Sequence, residues 1–472
     1  MKPLHRLLAP ILMLLLLSCG GGVDFAGNGG GGVGTGGTGI IAGTVTGLGS
    51  VVVEDTRFDE SQAVLESRPD LVNSTALALA DLHIGQYAYL DLDAAGTPAR
   101  VRIASQLVGS AAAVNVAGGR FGVWGQPVAV NTDPDRGPVT VFDGFADLSA
   151  MQAGDPVQVY GVLQAGDGGT DLLRATRVEK LAAVGALPAR LTGTLQQGSG
   201  STLLLAGRPL ETSGAAAVPT LEAGTAVIAI VPWTAQLPPT WQASAVALLA
   251  PAAATASLRV SGAVHLRTDG RAVVQGVEVD LSALAPAERD EVREGSYLTV
   301  QARSRGNDSR RADAARIETL PQGGRSAQLR GSITAVTGTT SFVVRGQPVD
   351  AAAARFEGGG AASLTVGTFV EVQGAQTAAG VAASRVTFPG EPPERAVLEL
   401  SGTVQSVDAG ARSARLLVRD GRVFDLLLPA QPTLPAVGDT IRVEGYWDGS
   451  RLQVREFRPD RSGGGGGDDE GR

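Results

Sequence analysis

A glycine that returns about every 70 residues constrains this chain more than any other feature. Each copy stands in one phrase: an apolar residue, two variable residues, glycine, then alternating apolar residues. The copies are Leu82-His83-Ile84-Gly85, Met151-Gln152-Ala153-Gly154, Leu221-Glu222-Ala223-Gly224, Val292-Arg293-Glu294-Gly295, Leu364-Thr365-Val366-Gly367 and Pro435-Ala436-Val437-Gly438. Successive glycines are 69, 70, 71, 72 and 71 residues apart, a series that chance does not produce.

Other landmarks keep step. A Gly-x-apolar start occurs at Gly43, Gly193, Gly262, Gly331 and Gly402, and blurs around Val114 in the second copy. A hairpin glycine follows at Gly125, Gly207, Gly276, Gly346 and Gly421, with Glu54-Asp55 in its place in the first copy. Each copy therefore reads as three strands, a variable insert and two strands, with period-two alternation turning one face inward and glycine supplying the turns. In the fourth copy the insert Ser282–Glu291 suits a short helix. This order predicts an all-β chain: a tandem array of about six small five-stranded OB-like barrels, the Greek-key kind in which closure protects strand edges. The expected modules are 40–108, 109–181, 182–256, 257–324, 325–392 and 393–458. At about 70 residues each is near the lower limit for independent stability, so contacts between sequence neighbours are expected to help.

The opening Gly39-Ile40-Ile41-Ala42-Gly43-Thr44-Val45-Thr46-Gly47-Leu48-Gly49-Ser50-Val51 and the recurring Leu-x-x-Gly phrase resemble the bacterial family called domain of unknown function 5666. The resemblance implies export, often as a lipoprotein, with several copies in tandem. It is sharpest in the first, fifth and sixth modules and weakest in the third, where Pro232, Pro238 and Pro239 disturb the final strands. It implies no catalytic residues.

The N-terminus carries an address. Lys2 and Arg6 precede an apolar run of eleven residues, Leu7–Leu17, whereas a membrane span needs about 20, so residues 1–18 read as a signal peptide. Leu16-Leu17-Ser18-Cys19 resembles a lipobox, and Cys19 is the sole cysteine, with no partner for a disulfide. Cys19 is the expected lipidation site, and the following Gly20 resembles the pattern sent to the outer membrane. Residues 19–39 are a glycine-rich tether with a reach on the order of 25 Å. Its Gly27-x-Gly29-x-x-Gly32 lacks the flanking strand and helix that a dinucleotide site requires. Residues 459–472 read as a disordered Gly/acidic tail.

Loss of Lys2 and Arg6 with the signal peptide takes the net charge from −8 to −10. With Lys180 the one remaining lysine and arginines scattered among carboxylates, nucleic acid is not an expected partner. The mature chain holds only His83 and His265, both read as ordinary strand-surface residues, so neither a transition-metal site nor a Ser-His-Asp arrangement is expected. No metal or cofactor is expected elsewhere. Asn131, Asp133 and Asp135 alternate like a calcium loop, but Gly137 comes one place late and Phe142 stands where the closing Glu belongs. Asp91 with Asp93, and Asp167 with Asp171, read as hairpin ends.

These readings predict a lipid-anchored envelope protein acting as a non-catalytic binding or interaction module for a protein or glycan, with a structural spacer as the alternative. Candidate ligand contacts are the large aromatics of the inserts and neighbouring turns: Trp124, Phe142, Phe145, Trp233 and Trp241.

Overall fold

The computed structural model describes residues 39–459 apart from 60–62, 167–170, 251–256, 306–307, 366–367, 390–396, 419–421, 430–432 and 448–450. The signal peptide, Cys19, the tether before Gly39, Asp167, Gly367, Gly421 and the acidic tail after Pro459 lie outside the described residues, and Pro459, assigned to the tail from the sequence, is a strand residue. Gly39, assigned to the tether from the sequence, is already a strand residue.

Among the described residues, backbone pairing closes the second, fourth, fifth and sixth copies into five-stranded barrels with one wiring, and the first and third follow the same strand order without a continuous ring of pairings. In the sixth, the strands Val397–Asp408, Ser413–Val418, Val423–Leu427, Thr440–Trp447 and Leu452–Pro459 run first-second-third-fifth-fourth around the barrel. The fourth returns antiparallel to the first, and the third and fifth are parallel. That is the OB-like Greek-key order. The second, fourth and fifth barrels repeat it. In the first, Val64–Ser67 supplies the parallel pairing. In the third, Pro232, Pro238 and Pro239 lie in the connection between the fourth and last strands, and the last strand is split at Ala243-Ser244 into Trp241–Gln242 and Ala245–Leu248. The predicted helix is present at Pro286–Glu291 in the fourth barrel, whereas the inserts of the first and fifth hold one 3-10 turn each and that of the second holds two.

The recurring glycine now has a cause. Gly85, Gly154, Gly224, Gly295 and Gly438 have φ between +72° and +95°, a region that side-chain-bearing residues enter at a cost. Each donates its N–H to a first-strand carbonyl: Val45, Ala111, Leu195, Val264 and Val404, at 2.7–2.9 Å. That same first-strand residue donates back to the carbonyl just after the glycine. The turn thus clamps the start of the fourth strand onto the first.

Hairpin tips between second and third strands carry a second device. Glu54-Asp55, Trp124-Gly125, Ala206-Gly207, Gln275-Gly276 and Arg345-Gly346 have positive φ at both residues, as type I′ turns require. The leading residue is never glycine, although this conformation costs a non-glycine residue about 1 kcal/mol or more. Glu54, Trp124, Gln275 and Arg345 are nevertheless buried, and the side chains of the first three enter joints. Gln275 Oε1, in the fourth barrel, accepts the N–H of Leu163 in the second at 2.9 Å.

The barrels do not stack only on sequence neighbours. The first strand of the first barrel, Gly39–Leu48, is buried at every position. It pairs inside its own barrel, runs parallel to Ser257–Val260 of the fourth, and meets Gln328 and Leu329 of the fifth. Alternation fails here because both faces are covered. Apolar packing follows the same plan. The first and fifth barrels share one cluster, the second and third share another, the fourth packs with Ile40, Ala42, Tyr87 and Tyr89, and the sixth keeps its own. Barrel one also reaches the second through Thr176 Oγ1 to the Gly85 carbonyl at 2.6 Å, and the sixth through an Arg415–Asp81 ion pair. It is the hub of the assembly.

Candidate functional site

Around that hub lies a cavity of about 400 Å³. Its walls come from four barrels: Ser67–Pro69, Thr75–Leu77, Asp81, His83 and Gln86 of the first, Gln158, Tyr160 and Glu179 of the second, Leu187–Arg190 of the third, and Arg415 of the sixth. No single barrel forms it.

Arg190 stands on the first strand of barrel three, Ala189–Thr194, where Leu191 faces its own core and Arg190 faces outward onto the hub. The guanidinium is 4% exposed. Nη1 donates to Ser105 O at 2.8 Å and Ser105 Oγ at 3.2 Å, and Nη2 donates to the carbonyls of Arg68 at 2.7 Å and Pro69 at 2.8 Å. Burial lowers its pKa to about 10, with Tyr160 and Asp70 acting in the opposite direction. The group stays charged at neutral pH.

The remaining polar walls are held by their own partners. Gln86 accepts the His83 N–H at 2.9 Å and donates to Asp81 O at 3.2 Å. His83 Nδ1 faces Gln347 Nε2 of the fifth barrel at 3.1 Å; with the amide donating, the ring proton sits on Nε2. Burial, reinforced by Arg177, lowers the His83 pKa to about 4. His83 is therefore an enclosed junction residue, not the strand-surface histidine expected from the sequence. Burial raises Glu179 despite its bond from Arg177 Nε, and raises the Tyr160 hydroxyl far above the phenol range. Arg177 also bonds Asp143, and Asp81 is paired with Arg415. Each cavity carboxylate thus already has a cation.

Residues 330–387, within the fifth barrel, match the family described as domain of unknown function (DUF5666). No curated protein matches the chain. Among solved structures it is similar to one titled "drosophila Unr CSD456", at 13% identity over 43% of this chain and 98% of that one, with a TM-score of 0.19.

None of the five aromatic candidates lines the cavity, although Trp124 and Trp233 bond the carbonyls of its wall residues Val108 and Leu187. Outside the DUF5666 match, at the joint of barrels two and three, Trp124 meets Trp233 and Trp241 edge-on at 5.6 and 6.2 Å between centroids. Their indole N–H groups donate to the carbonyls of Val108, Leu187 and Leu205. Trp241 is 0% exposed and Trp124 is buried, with Trp233 packed against them. Phe142 is buried, and its N–H donates to Ala378 O of barrel five at 2.9 Å. Phe145 is half-buried under Lys180 Nζ at 5.0 Å. The Trp124 ring contacts and the Phe142 bond join barrels, and the remaining contacts lie within barrel two or three. The Asn131–Asp135 loop spends its side chains on backbone: Asn131 Nδ2 donates to the carbonyls of Asp133, Gly137 and Pro138, and Asp135 Oδ1 accepts Gly323 N. Asp171 is buried and accepts the N–H of Thr194 in barrel three, more than the hairpin end expected. His265 lies on its strand with Nδ1 3.4 Å from Glu294.

Proposed function

We propose that this chain is a non-catalytic binding protein of the bacterial cell envelope, built from tandem copies of the DUF5666 domain and held at the outer membrane by lipid on Cys19. The observation that carries the reading is the hub cavity, whose volume of about 400 Å³ falls within the usual range for ligand sites. A spacer needs no cavity walled by four barrels. Assembly of the walls from separated parts of the chain also gives the barrels a reason to cluster about the first. The partner is a protein segment or a glycan whose end enters the cavity; the acidic balance and sparse aromatics disfavour nucleic acid.

The test uses the mature chain carrying Cys19→Ser, incubated with solubilised envelope, beside the same protein with Ala76→Trp to fill the cavity from its wall. A protein or glycan retained by the first and lost from the second supports the reading. The same species on both, or nothing on either, overturns it and leaves the structural spacer.

A further inference from the structure

We infer that the hub cavity binds a small organic monocarboxylate, with Arg190 as its counter-ion; this rests on the binding reading above. A guanidinium has five N–H donors. Four of those on Arg190 are spent on the Ser105, Arg68 and Pro69 oxygens. The fifth, Nε–H, is buried and has no partner among the described residues. Nor does any described carboxylate pair with Arg190. Taking a cation out of water is costly unless an anion or a full set of acceptors replaces the water. The four oxygens fix the plane of the group and supply part of that compensation, leaving one buried donor and a net positive charge on a side chain that lines the cavity.

The other cavity charges do not answer it, because Asp81 is held by Arg415 and Glu179 by Arg177. Much of the remaining wall is apolar, including Leu77, Ile103, Val108 and Leu187. A ligand that fits has a single negative charge at one end and an apolar body. A phosphate dianion fits less well, since its recognition calls for several convergent cationic donors, and the other lining guanidiniums are engaged, Arg68 with Glu66 at 3.4 Å and Arg415 with Asp81.

The experiment titrates the mature protein with hexanoate, hexanamide and hexan-1-ol, three probes of nearly equal shape, by ligand-observed NMR. It also follows the arginine Nε–H resonances of the labelled protein. Hexanoate is expected to bind at least tenfold more tightly than the amide or alcohol and to shift the Arg190 Nε–H resonance. Arg190→Gln is expected to abolish that preference with the circular dichroism spectrum unchanged, and Ala76→Trp to abolish binding of all three. The acid preference and the resonance shift are read on the parent protein, so they stand even where a variant fails to fold. Equal binding of acid and amide overturns the charge assignment while leaving the binding reading in place. So does a hexanoate-induced shift confined to other arginines. Failure of all three probes to bind folded protein overturns the carboxylate inference, and the envelope retention test then decides the broader reading by itself.

Discussion

Neutralising Glu54 should loosen three barrels at once. Its carboxylate, in a hairpin tip of the first barrel, is 0% exposed. Oε1 accepts the N–H of Thr44 at 2.8 Å and the hydroxyl of Tyr297 from the fourth barrel. Oε2 stands 2.8 Å from Nε of Arg325, where the chain enters the fifth barrel. Glu54→Gln preserves the shape but leaves the Arg325 guanidinium, only 9% exposed, without its main counter-ion. Breaking such a pair costs about 3 to 5 kcal/mol. Asp55 Oδ2, 3.2 Å from Arg325 Nη1, retains part of the compensation, which places the expected cost near about 3 kcal/mol. Arg325→Met strands a fully buried carboxylate and should cost about 3 to 5 kcal/mol. Removing both charges should cost about 1 to 2 kcal/mol, a coupling of at least about 4 kcal/mol in a double-mutant cycle. The described tryptophan side chains lie in barrels two and three, so fluorescence would miss the event. Amide hydrogen exchange of Gly39–Leu48 reads it directly. A 3 kcal/mol loss accelerates exchange through the shared opening by about 150-fold. Acceleration below tenfold in both single variants, or additive effects in the double variant, would refute the assignment of this joint as a coupled buried pair.

Two further outcomes follow from the geometry. His83 has a pKa of about 4 in the fold against 6.5 for the free side chain, from burial first and Arg177 second, with Asp143 and Asp81 opposing. The unfolded chain binds a proton in that window that the fold refuses, so this contribution is complete above pH 6.5 and is lost as pH falls toward 4. It amounts to about 2 to 3 kcal/mol by pH 4.5. His83→Gln should flatten the urea midpoint between pH 7 and 4.5 by that amount, and equal pH dependence in both proteins would count against it. Gly374 sits at a bulge in the fourth strand of barrel five, where an added Cβ would stand 2.1 Å from the Ala382 carbonyl. Gly374→Ala should cost about 1 to 3 kcal/mol by overpacking, while Gly360→Ala, with open space around it, should leave the thermal midpoint nearly unchanged.

The barrels were legible because their causes are local. The phrase ending at Gly85 or Gly438 encodes a positive-φ turn, and alternation such as Ala414, Leu416 and Val418 marks an inward face. The joints were not legible. The outer face of a barrel strand carries the same residue types whether water or another barrel covers it, so nothing in the sequence separates Arg190 and Arg177 from solvated arginines. The tryptophans misled for the same reason, since their size suggested a ligand platform and nothing local announced the carbonyls of Val108 and Leu205 as acceptors. One signal was present. The residue just before each hairpin glycine, or in its place, is Glu54, Trp124, Gln275 or Arg345 in four copies, and a large side chain there is hard to justify unless it is spent on a neighbour.

The parallel pairing of Gly39–Leu48 with strands more than 200 residues later bears on how such a gene can change. In arrays where each repeat touches only the next, copies can be gained or lost by unequal crossing-over with little penalty. Here, excising any internal copy would remove a specific joint with the first barrel or shift every later barrel out of its seat. The number of copies is therefore fixed by the fold, and lineages should diverge by substitution within copies while keeping their count.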